Sequence, residues 1–188
     1  TLGEGFEQRY RPSKPISLAA LATHHILDEE LLDCPPSTSF KLPAGLQYLI
    51  GHNVDFDWAV AGSPDVRRIC TLSLARAVWP TLEAHNQSAL LYYLDRKNAR
   101  ERLKNAHSAG ADIKICATIL EHICLKLEID SLEALWQKSE ESRIPTHMPF
   151  GKHKGMPIAE VPKDYVRWLL NQPDVDPFLR RAFAQGAS

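Results

Sequence analysis

The chain has 188 residues, of which 44% are hydrophobic and 24% are charged, and its formal net charge is −1. This composition excludes a disordered or fibrous protein, and the length suits one main domain with a small addition, because a domain takes roughly 100–150 residues. The near-neutral charge excludes whole-chain attraction to phosphate, so any contact with nucleic acid needs a local basic patch.

Cysteine spacing and hydropathy bear on where the protein works. Four cysteines show neither a C-x-x-C pair nor regular spacing, so we expect reduced structural thiols at Cys34, Cys70, Cys116 and Cys124. No apolar run approaches the roughly 20 residues of a membrane span, and residues 1–10 lack a secretion signal. We therefore predict a cytoplasmic protein with no membrane partner, and Thr1 need not be its natural first residue.

The beginning of the chain predicts short elements separated by prolines. Residues 6–10 alternate between apolar and polar side chains as a strand does, and prolines then interrupt the pattern. Ser17 is a good N-cap for a helix over residues 18–22. A second short helix is predicted over residues 28–32.

Two strand-then-helix patterns follow. Residues 47–53 form a short apolar run without alternation, which is typical of a central strand buried on both faces. Residues 68–71 predict another strand, and residues 73–79 predict a helix that ends at a proline. This order indicates an α/β fold.

Helices dominate the middle of the chain. Residues 88–94 predict a helix, and residues 95–104 are a charge run that favours a solvated surface over a phosphate-contacting patch. Residues 111–127 predict the longest helix, since its apolar side chains recur every three or four positions at Cys116, Ile119, Leu120, Ile123 and Leu127. One more helix is predicted over residues 131–138.

The last part of the chain predicts a compact unit after a linker. Residues 139–149 are polar and contain proline, as linkers do. Residues 148–161 predict a hairpin, and helices follow over residues 164–171 and 176–185. Six Lys and Arg against four Asp and Glu make residues 150–188 slightly basic.

A first pair of candidate functional residues stands before the longest helix. Four small residues separate His107 from Asp112, and on a continuous helix this offset rotates the two side chains about 140° apart. They converge only if His107 lies in the preceding loop and Asp112 in the first turns. A helical carboxylate there suits Mg²⁺, and a loop histidine suits a base that takes a proton from water. Taken alone, the pattern favours a surface histidine near a helix-capping aspartate.

A second group follows the predicted buried strand. Ligand crevices of open α/β sheets lie off the carboxyl ends of the strands, where residues 51–57 fall. We expect Phe56 to anchor in the core and Asp57 to face the crevice. Asp55 should point elsewhere, as an acid at a helix N-terminus. An Asp-rich helix start without a metal explains these residues equally well.

Together the two groups resemble a known family. The pattern G-H-N-x-x-F-D followed by H-x-A-x-x-D is similar to the second and third motifs of DnaQ-like exonucleases of the DEDDh type. The likeness extends to the segments at residues 11–17, 22–26, 69–76 and 79–80. The tail resembles the small C-terminal domain of the exonuclease X group, at residues 150–155, Tyr165, Arg167, Trp168 and Leu169.

The resemblance implies a fold and an activity. The fold would be an α/β, RNase H-like exonuclease domain over residues 1–138, followed by the linker 139–149 and a small α+β domain over residues 150–188. The activity would be 3′→5′ hydrolysis of phosphodiester bonds at single-stranded DNA 3′ ends, with two Mg²⁺ or Mn²⁺ ions. By the same resemblance, Asp57 and Asp112 match metal ligands and His107 matches the general base.

One family motif is missing. The Asp-x-Glu of the first motif is absent, and Glu4 and Glu7 stand where a later strand of the family lies. Two carboxylates rarely hold two Mg²⁺ ions. An active enzyme and a catalytically inactive nucleic-acid-binding relative therefore both remain possible. Our expectation is a fragment of an active enzyme, with N-terminal strands missing and an Asp-x-Glu strand encoded before Thr1.

Further nucleic-acid contacts are predicted in two places. Lys152 and Lys154 can contact phosphate in the predicted hairpin turn. Tyr165 or Trp168 can stack on bases, although their helical spacing with Leu169 favours a core role.

His52 and Asn53 are the remaining candidates for nucleic-acid contact. For His52, as for His24 and His25, a structural or loop role is the favoured interpretation. The sequence predicts no oligomeric state.

Overall fold

The computed structural model of the chain describes residues 7–105 and 109–186. Within those ranges no helix is both long and apolar enough to cross a membrane. The chain divides into two compact units, one ending at Trp136 and the other beginning at Gln137. Each unit has its own hydrophobic core.

The predicted strand over residues 6–10 is wrong for the part of it that is described. Residues 7–10 have no regular structure, and Arg11 makes only an isolated parallel bridge to Pro36. Prolines stand at both sides of this bridge, and a residue without an N–H cannot extend a ladder of hydrogen bonds.

The helices predicted after this segment are present. Helix α1 spans Leu18–His24 and begins at Ser17, whose hydroxyl accepts a hydrogen bond from the amide of Ala20. The short helix predicted over residues 28–32 is a 3₁₀ helix over Asp28–Leu31.

Two parallel strands and a crossover helix form the centre of the first unit. Strand β1 (Tyr48–Gly51) pairs in parallel with β2 (Arg67–Cys70), and helix α2 (Val54–Val60) connects them. The expectation that β1 is buried on both faces is wrong, since its residues are only half-buried. Leu49 and Ile50 line an open cleft instead of a second packed layer.

A layer of helices completes this unit. It contains α3 (Thr71–Val78), α4 (Gln87–Leu94), α5 (Arg96–Arg102) and α6 (Ala109–Leu127). The core of the unit is formed by buried residues that include Ile69, Leu74, Leu90, Leu91, Ile115, Ile119 and Ile123. The predicted apolar stripe of α6 is therefore right at four positions, since Ile119 and Ile123 are buried in the core and Leu120 and Leu127 pack against it. Cys116 lines the cleft, as Leu120 also does.

The charge run at residues 95–104 lies on a largely exposed surface. Arg102 pairs with Asp95 at 3.2 Å, and Lys104 pairs with Glu101 at 2.5 Å. Because part of its positive charge is already neutralised within the run, the structure favours a solvated face over a phosphate-binding patch.

The boundary between the units falls inside helix α7 (Leu132–Ser142). Residues 139–142, predicted as part of the linker, are helical, because no glycine or proline interrupts the chain before Pro145. Whether residues 1–138 and 150–188 act as separate domains stays a prediction.

The second unit packs two helices against a turn. Helices α8 (Lys163–Leu170) and α9 (Pro177–Gly186) match the predicted helices. The predicted hairpin is reduced to one antiparallel bridge between His147 and Pro157, because the amide of Met156 donates to the carbonyl of His153 within the turn instead of continuing the ladder. The core contains Met148, Ile158, Val161, Leu169, Leu179 and Phe183.

Candidate active site

An open cleft with a volume of about 710 Å³ lies off the carboxyl end of β1. The starts of α2, α4 and α6 form the rest of its wall. The polar side chains that line it are those of His52, Asn53, Asp57, Gln87, Asp112 and Cys116. The cleft therefore brings together two carboxylates that the sequence predicted as a pair, at the edge of the sheet where a ligand crevice is expected.

The end of β1 directs Asp57 into the cleft. Asn53 adopts a left-handed conformation with φ 69° and so turns the chain from β1 into α2. A Cβ atom added to Gly51 would lie 3.3 Å from Oδ2 of Asp57, so glycine leaves the room that this carboxylate occupies.

The environment of Asp57 is unfavourable for its charge. The side chain is exposed in part, yet partial burial by the cleft wall raises the pKa of its carboxyl group. A carboxylate that lacks part of its hydration favours a bound cation, because the cation restores what water no longer supplies.

Asp112 lies in the first turn of α6 and lines the same cleft. The positive end of the helix macrodipole favours a carboxylate at this position. The third predicted catalytic residue, His107, lies outside the described residues. The structure thus brings together two of the three.

Phe56 was expected in the core, and this expectation is wrong. Its side chain is 68% exposed and lines the cleft. Helix α2 packs through Val54 and Trp58, which lie one turn apart, so Phe56 faces the opposite side. The face of α2 on which Phe56 stands decides where its side chain lies, more than the apolar character of the ring does.

Asp55 points away from the cleft, as predicted. Its carboxylate lies 2.5 Å from Arg68, whose guanidinium stacks over the ring of Trp58 at 4.2 Å. Asp55 and Asp57 are therefore neighbours with different surroundings.

His52 has no hydrogen-bonding capacity left for a ligand. Its Nε2 lies 2.8 Å from the carbonyl oxygen of His85 and must donate, so Nδ1, at 3.0 Å, accepts from the hydroxyl of Thr71. Burial, the largest cause, lowers the pKa of the imidazole and keeps it neutral. The structure gives His52 a positioning role at the end of β1, while Asn53 lines the cleft with an exposed side chain.

Gln87 is a site residue that sequence reasoning missed. Its Oε1 is buried and has no hydrogen-bond partner in the described part of the chain, although the residue lines the cleft. Such an unsatisfied acceptor costs about 1–3 kcal/mol unless a ligand or water donates to it. No signal in the sequence could reveal it, since a glutamine after the capping Asn86 is an ordinary helix start.

The donor set of the cleft fits one hard divalent cation. Among the described residues, no group of three or more His, Cys, Asp or Glu side chains is placed to hold a metal ion. Mg²⁺ in proteins is commonly bound by one or two carboxylates together with substrate phosphate and water. Asp57 and Asp112 therefore suit a single Mg²⁺ or Mn²⁺ ion completed by substrate, but two carboxylates are too few for two ions.

Comparison with known proteins agrees with this architecture. Exodeoxyribonuclease 10 of Escherichia coli, in strains K12 and O6:H1, is 30% identical to the chain over 177 residues, which cover 90% of this chain and 79% of that protein. A structure of exonuclease X in complex with 5′ overhanging duplex DNA aligns with a TM-score of 0.57 and 27% identity, over 69% of this chain and 78% of that chain. Residues 140–174 match the family described as putative quorum-sensing-regulated virulence factor.

The fold and the cleft define an RNase H-like α/β protein of the exonuclease type. The chain belongs to the exodeoxyribonuclease 10 family of DnaQ-like exonucleases. The resemblance on which the sequence predictions rested is thereby confirmed.

Proposed function

We propose that this protein is a divalent-metal-dependent 3′→5′ exodeoxyribonuclease. One observation carries the proposal: Asp57 and Asp112, from motifs far apart in the sequence, line one cleft off the end of β1. Two relatives are named exodeoxyribonucleases, and a structural neighbour was solved with duplex DNA. DNA is accordingly the proposed partner, and a cytoplasmic location stays a prediction.

The three predicted catalytic residues have proposed roles. Asp57 and Asp112 hold Mg²⁺ or Mn²⁺, which when bound polarises the phosphate and acidifies a bound water. His107 takes the proton of the attacking water as general base. A second ion, which the family resemblance implies, needs ligands beyond Asp57 and Asp112.

Two more residues suit the binding of a terminal nucleotide. Oε1 of Gln87 accepts a hydrogen bond from a donor of the nucleotide, such as its 3′-hydroxyl, which satisfies the buried oxygen. The exposed ring of Phe56 offers a face on which the terminal base stacks. Asn53 contributes a side-chain amide at the same edge of the cleft.

The proposal is tested with single-stranded DNA labelled at either end. For a version of the protein that carries the Asp-x-Glu motif, we expect stepwise loss of nucleotides from the 3′ end in Mg²⁺ or Mn²⁺ and none in EDTA. Asp57→Asn and Asp112→Asn should strongly lower cleavage, whereas Asp55→Asn is a matched control, because it changes a neighbouring aspartate that does not line the cleft. Removal of nucleotides from the 5′ end, or full activity in EDTA, contradicts the proposal.

A second candidate function is a nucleic-acid-binding relative without catalysis. The lack of a three-ligand metal group among the described residues favours it. The same assay decides between the two, since this alternative requires DNA binding with no metal-dependent cleavage.

A further inference from the structure

Trp168 is exposed on a helix whose other large apolar side chains are partly or fully buried. In α8, Leu169 is 5% exposed and belongs to the core of the second unit, and Tyr165 packs against that core. Trp168 is 55% exposed and is not part of it. The core role that the sequence favoured for these three residues is therefore right for Leu169 and in part for Tyr165, but not for Trp168.

Three aromatic rings touch in sequence on this side of the second unit. The ring centroid of Trp168 lies 5.4 Å from that of Tyr165, with the two planes tilted by 40°. The ring of His153 meets that of Tyr165 edge-on, with the two centroids 4.6 Å apart. Bases of an unpaired strand stack on exposed aromatic rings whatever their sequence, because every base has a π-face.

The turn that carries His153 also carries two lysines. Gly151 has φ 75°, and a Cβ atom added there would lie 2.8 Å from the hydroxyl oxygen of Tyr165, so glycine lets the turn lie directly on that ring. Lys152 and Lys154 flank His153 and are exposed.

The charges of these two lysines are not neutralised within the described residues. Some other cations of the second unit meet carboxylates: Lys138 pairs with Glu141, and Arg143 and Arg181 pair with Glu140. Neither Lys152 nor Lys154 lies within 4.0 Å of a carboxylate oxygen in the part of the chain that the structure describes. They are therefore available for an anionic partner.

We propose that this surface, the aromatic-basic face of Lys152, His153, Lys154, Tyr165 and Trp168, binds single-stranded DNA. Bases stack on Trp168 and the exposed part of Tyr165, while the lysines contact backbone phosphates. Aromatic rings beside uncompensated lysines match the alternation of base and phosphate in an unpaired strand. The choice of DNA rests on the function proposed above, whereas the binding itself does not depend on catalysis.

The first test measures binding of the whole chain to a fluorescein-labelled thymidine 20-mer in EDTA, where no metal-dependent cleavage occurs. Trp168→Ala should weaken binding by about 5- to 150-fold, the usual effect of removing one stacked base contact, and leave the melting temperature nearly unchanged. Trp168→Phe should retain most of the affinity. Tyr92→Ala is the matched control, because Tyr92 is a helical aromatic of the first unit with 46% exposure.

The second test measures how that affinity depends on salt. Lys152→Ala combined with Lys154→Ala should reduce the slope of log affinity against log salt by about 1.4, since each phosphate contact on a single strand contributes about 0.7. Lys126→Ala, at the far end of α6 from the cleft, should leave the slope within its error. Unchanged affinity in a folded Trp168→Ala variant together with an unchanged salt slope overturns the proposal.

A third measurement remains decisive if Trp168→Ala fails to fold. A strand carrying 5-iododeoxyuridine is photocrosslinked to the unmodified protein, and the linked peptides are mapped. Crosslinks within residues 148–170 support the proposal, and crosslinks confined to other residues contradict it. Cleavage of a trinucleotide by a version that carries the Asp-x-Glu motif reports on the cleft separately. Trp168-dependent binding without any such cleavage would overturn the proposed function and leave this inference intact.

Discussion

The cleft of the first unit and the aromatic-basic face of the second unit have opposite chemistry. The cleft presents two carboxylates and the buried carbonyl oxygen of Gln87, which has no hydrogen-bond partner among the described residues, so its polar groups are mainly acceptors with negative charge. The face presents two lysines and exposed rings, and its charges lack carboxylate partners among the described residues. A phosphate chain is repelled by the first set of groups and attracted by the second.

This difference shows why cutting a nucleic-acid strand and holding it can require two surfaces of different chemistry. Carboxylates at the reaction site hold a metal ion, but by themselves they oppose the approach of the phosphate that is to be cut. Until a cation occupies the cleft, attraction for the strand comes from groups other than these carboxylates. We infer that chemistry is located in the cleft and that sequence-independent holding of the strand is located on the face.

The largest expected effect separates these two roles. His107→Ala should lower turnover by about 10²–10⁴-fold, the usual contribution of general-base catalysis, with little change in Mg²⁺ affinity. Asp112→Asn should weaken both turnover and metal affinity. The measurement is a metal titration of cleavage on a trinucleotide. Lys152→Ala with Lys154→Ala is the control from the face and should leave this cleavage unchanged. Equal loss of metal affinity in the His107 and Asp112 variants would show that their roles are misassigned.

A smaller effect concerns the buried hydrogen bond between Thr71 and His52, which lies at the edge of the cleft. Thr71 is fully buried, and its hydroxyl donates to Nδ1 of His52. Thr71→Val keeps the shape but leaves this nitrogen without a donor, which should lower the free energy of unfolding by about 1–3 kcal/mol. Thr23→Val is the control, because its exposed hydroxyl bonds only within α1, and its effect should stay within about 0.5 kcal/mol.

Urea denaturation of both threonine variants gives these values. Equal stability of Thr71→Val and Thr23→Val would show that the contact between His52 and Thr71 does not support the cleft. The same measurement for Trp168→Ala should show little change, because Trp168 lies outside the core of the second unit.

The sequence predicts those features that depend on local pattern. The isoleucine spacing of α6 predicts its buried stripe, and Ser17 predicts the start of α1. Asp57 and Asp112 are found in one cleft because strand ends and helix starts define the crevice of an α/β fold. The prediction that Phe56 lies in the core was wrong because it rested on the apolar character of the ring and did not consider which face of α2 packs on the core.

Other features depend on partners that are distant in the sequence. Nε2 of His52 forms a hydrogen bond with the carbonyl oxygen of His85, 33 residues away, and no spacing rule predicts such a contact. Gln87 becomes a cleft residue only through the packing of α4 beside α6. Residues 7–10 alternate like a strand, but their neighbouring prolines limit pairing to one bridge.

The smallest expected effect tests whether partial burial of Asp57 in the cleft lowers the stability of the folded protein, an electrostatic effect that the aromatic-basic face should not have. Burial raises the pKa of Asp57 above its ordinary value of 3.8, so folding favours the protonated form. Stability is therefore lost as the pH rises through the range from 3.8 to this raised pKa, and the penalty persists at neutral pH.

Asp57→Asn removes the penalty and should raise the melting temperature in EDTA at pH 7, with a smaller gain at pH 4.5. Mg²⁺ should raise the melting temperature of the unmodified protein but have little effect on the variant. Trp168→Ala, as the control from the face, should show no such dependence on pH. An equal melting temperature for Asp57→Asn and the unmodified protein at both pH values would mean that the cleft imposes no electrostatic cost before a cation binds.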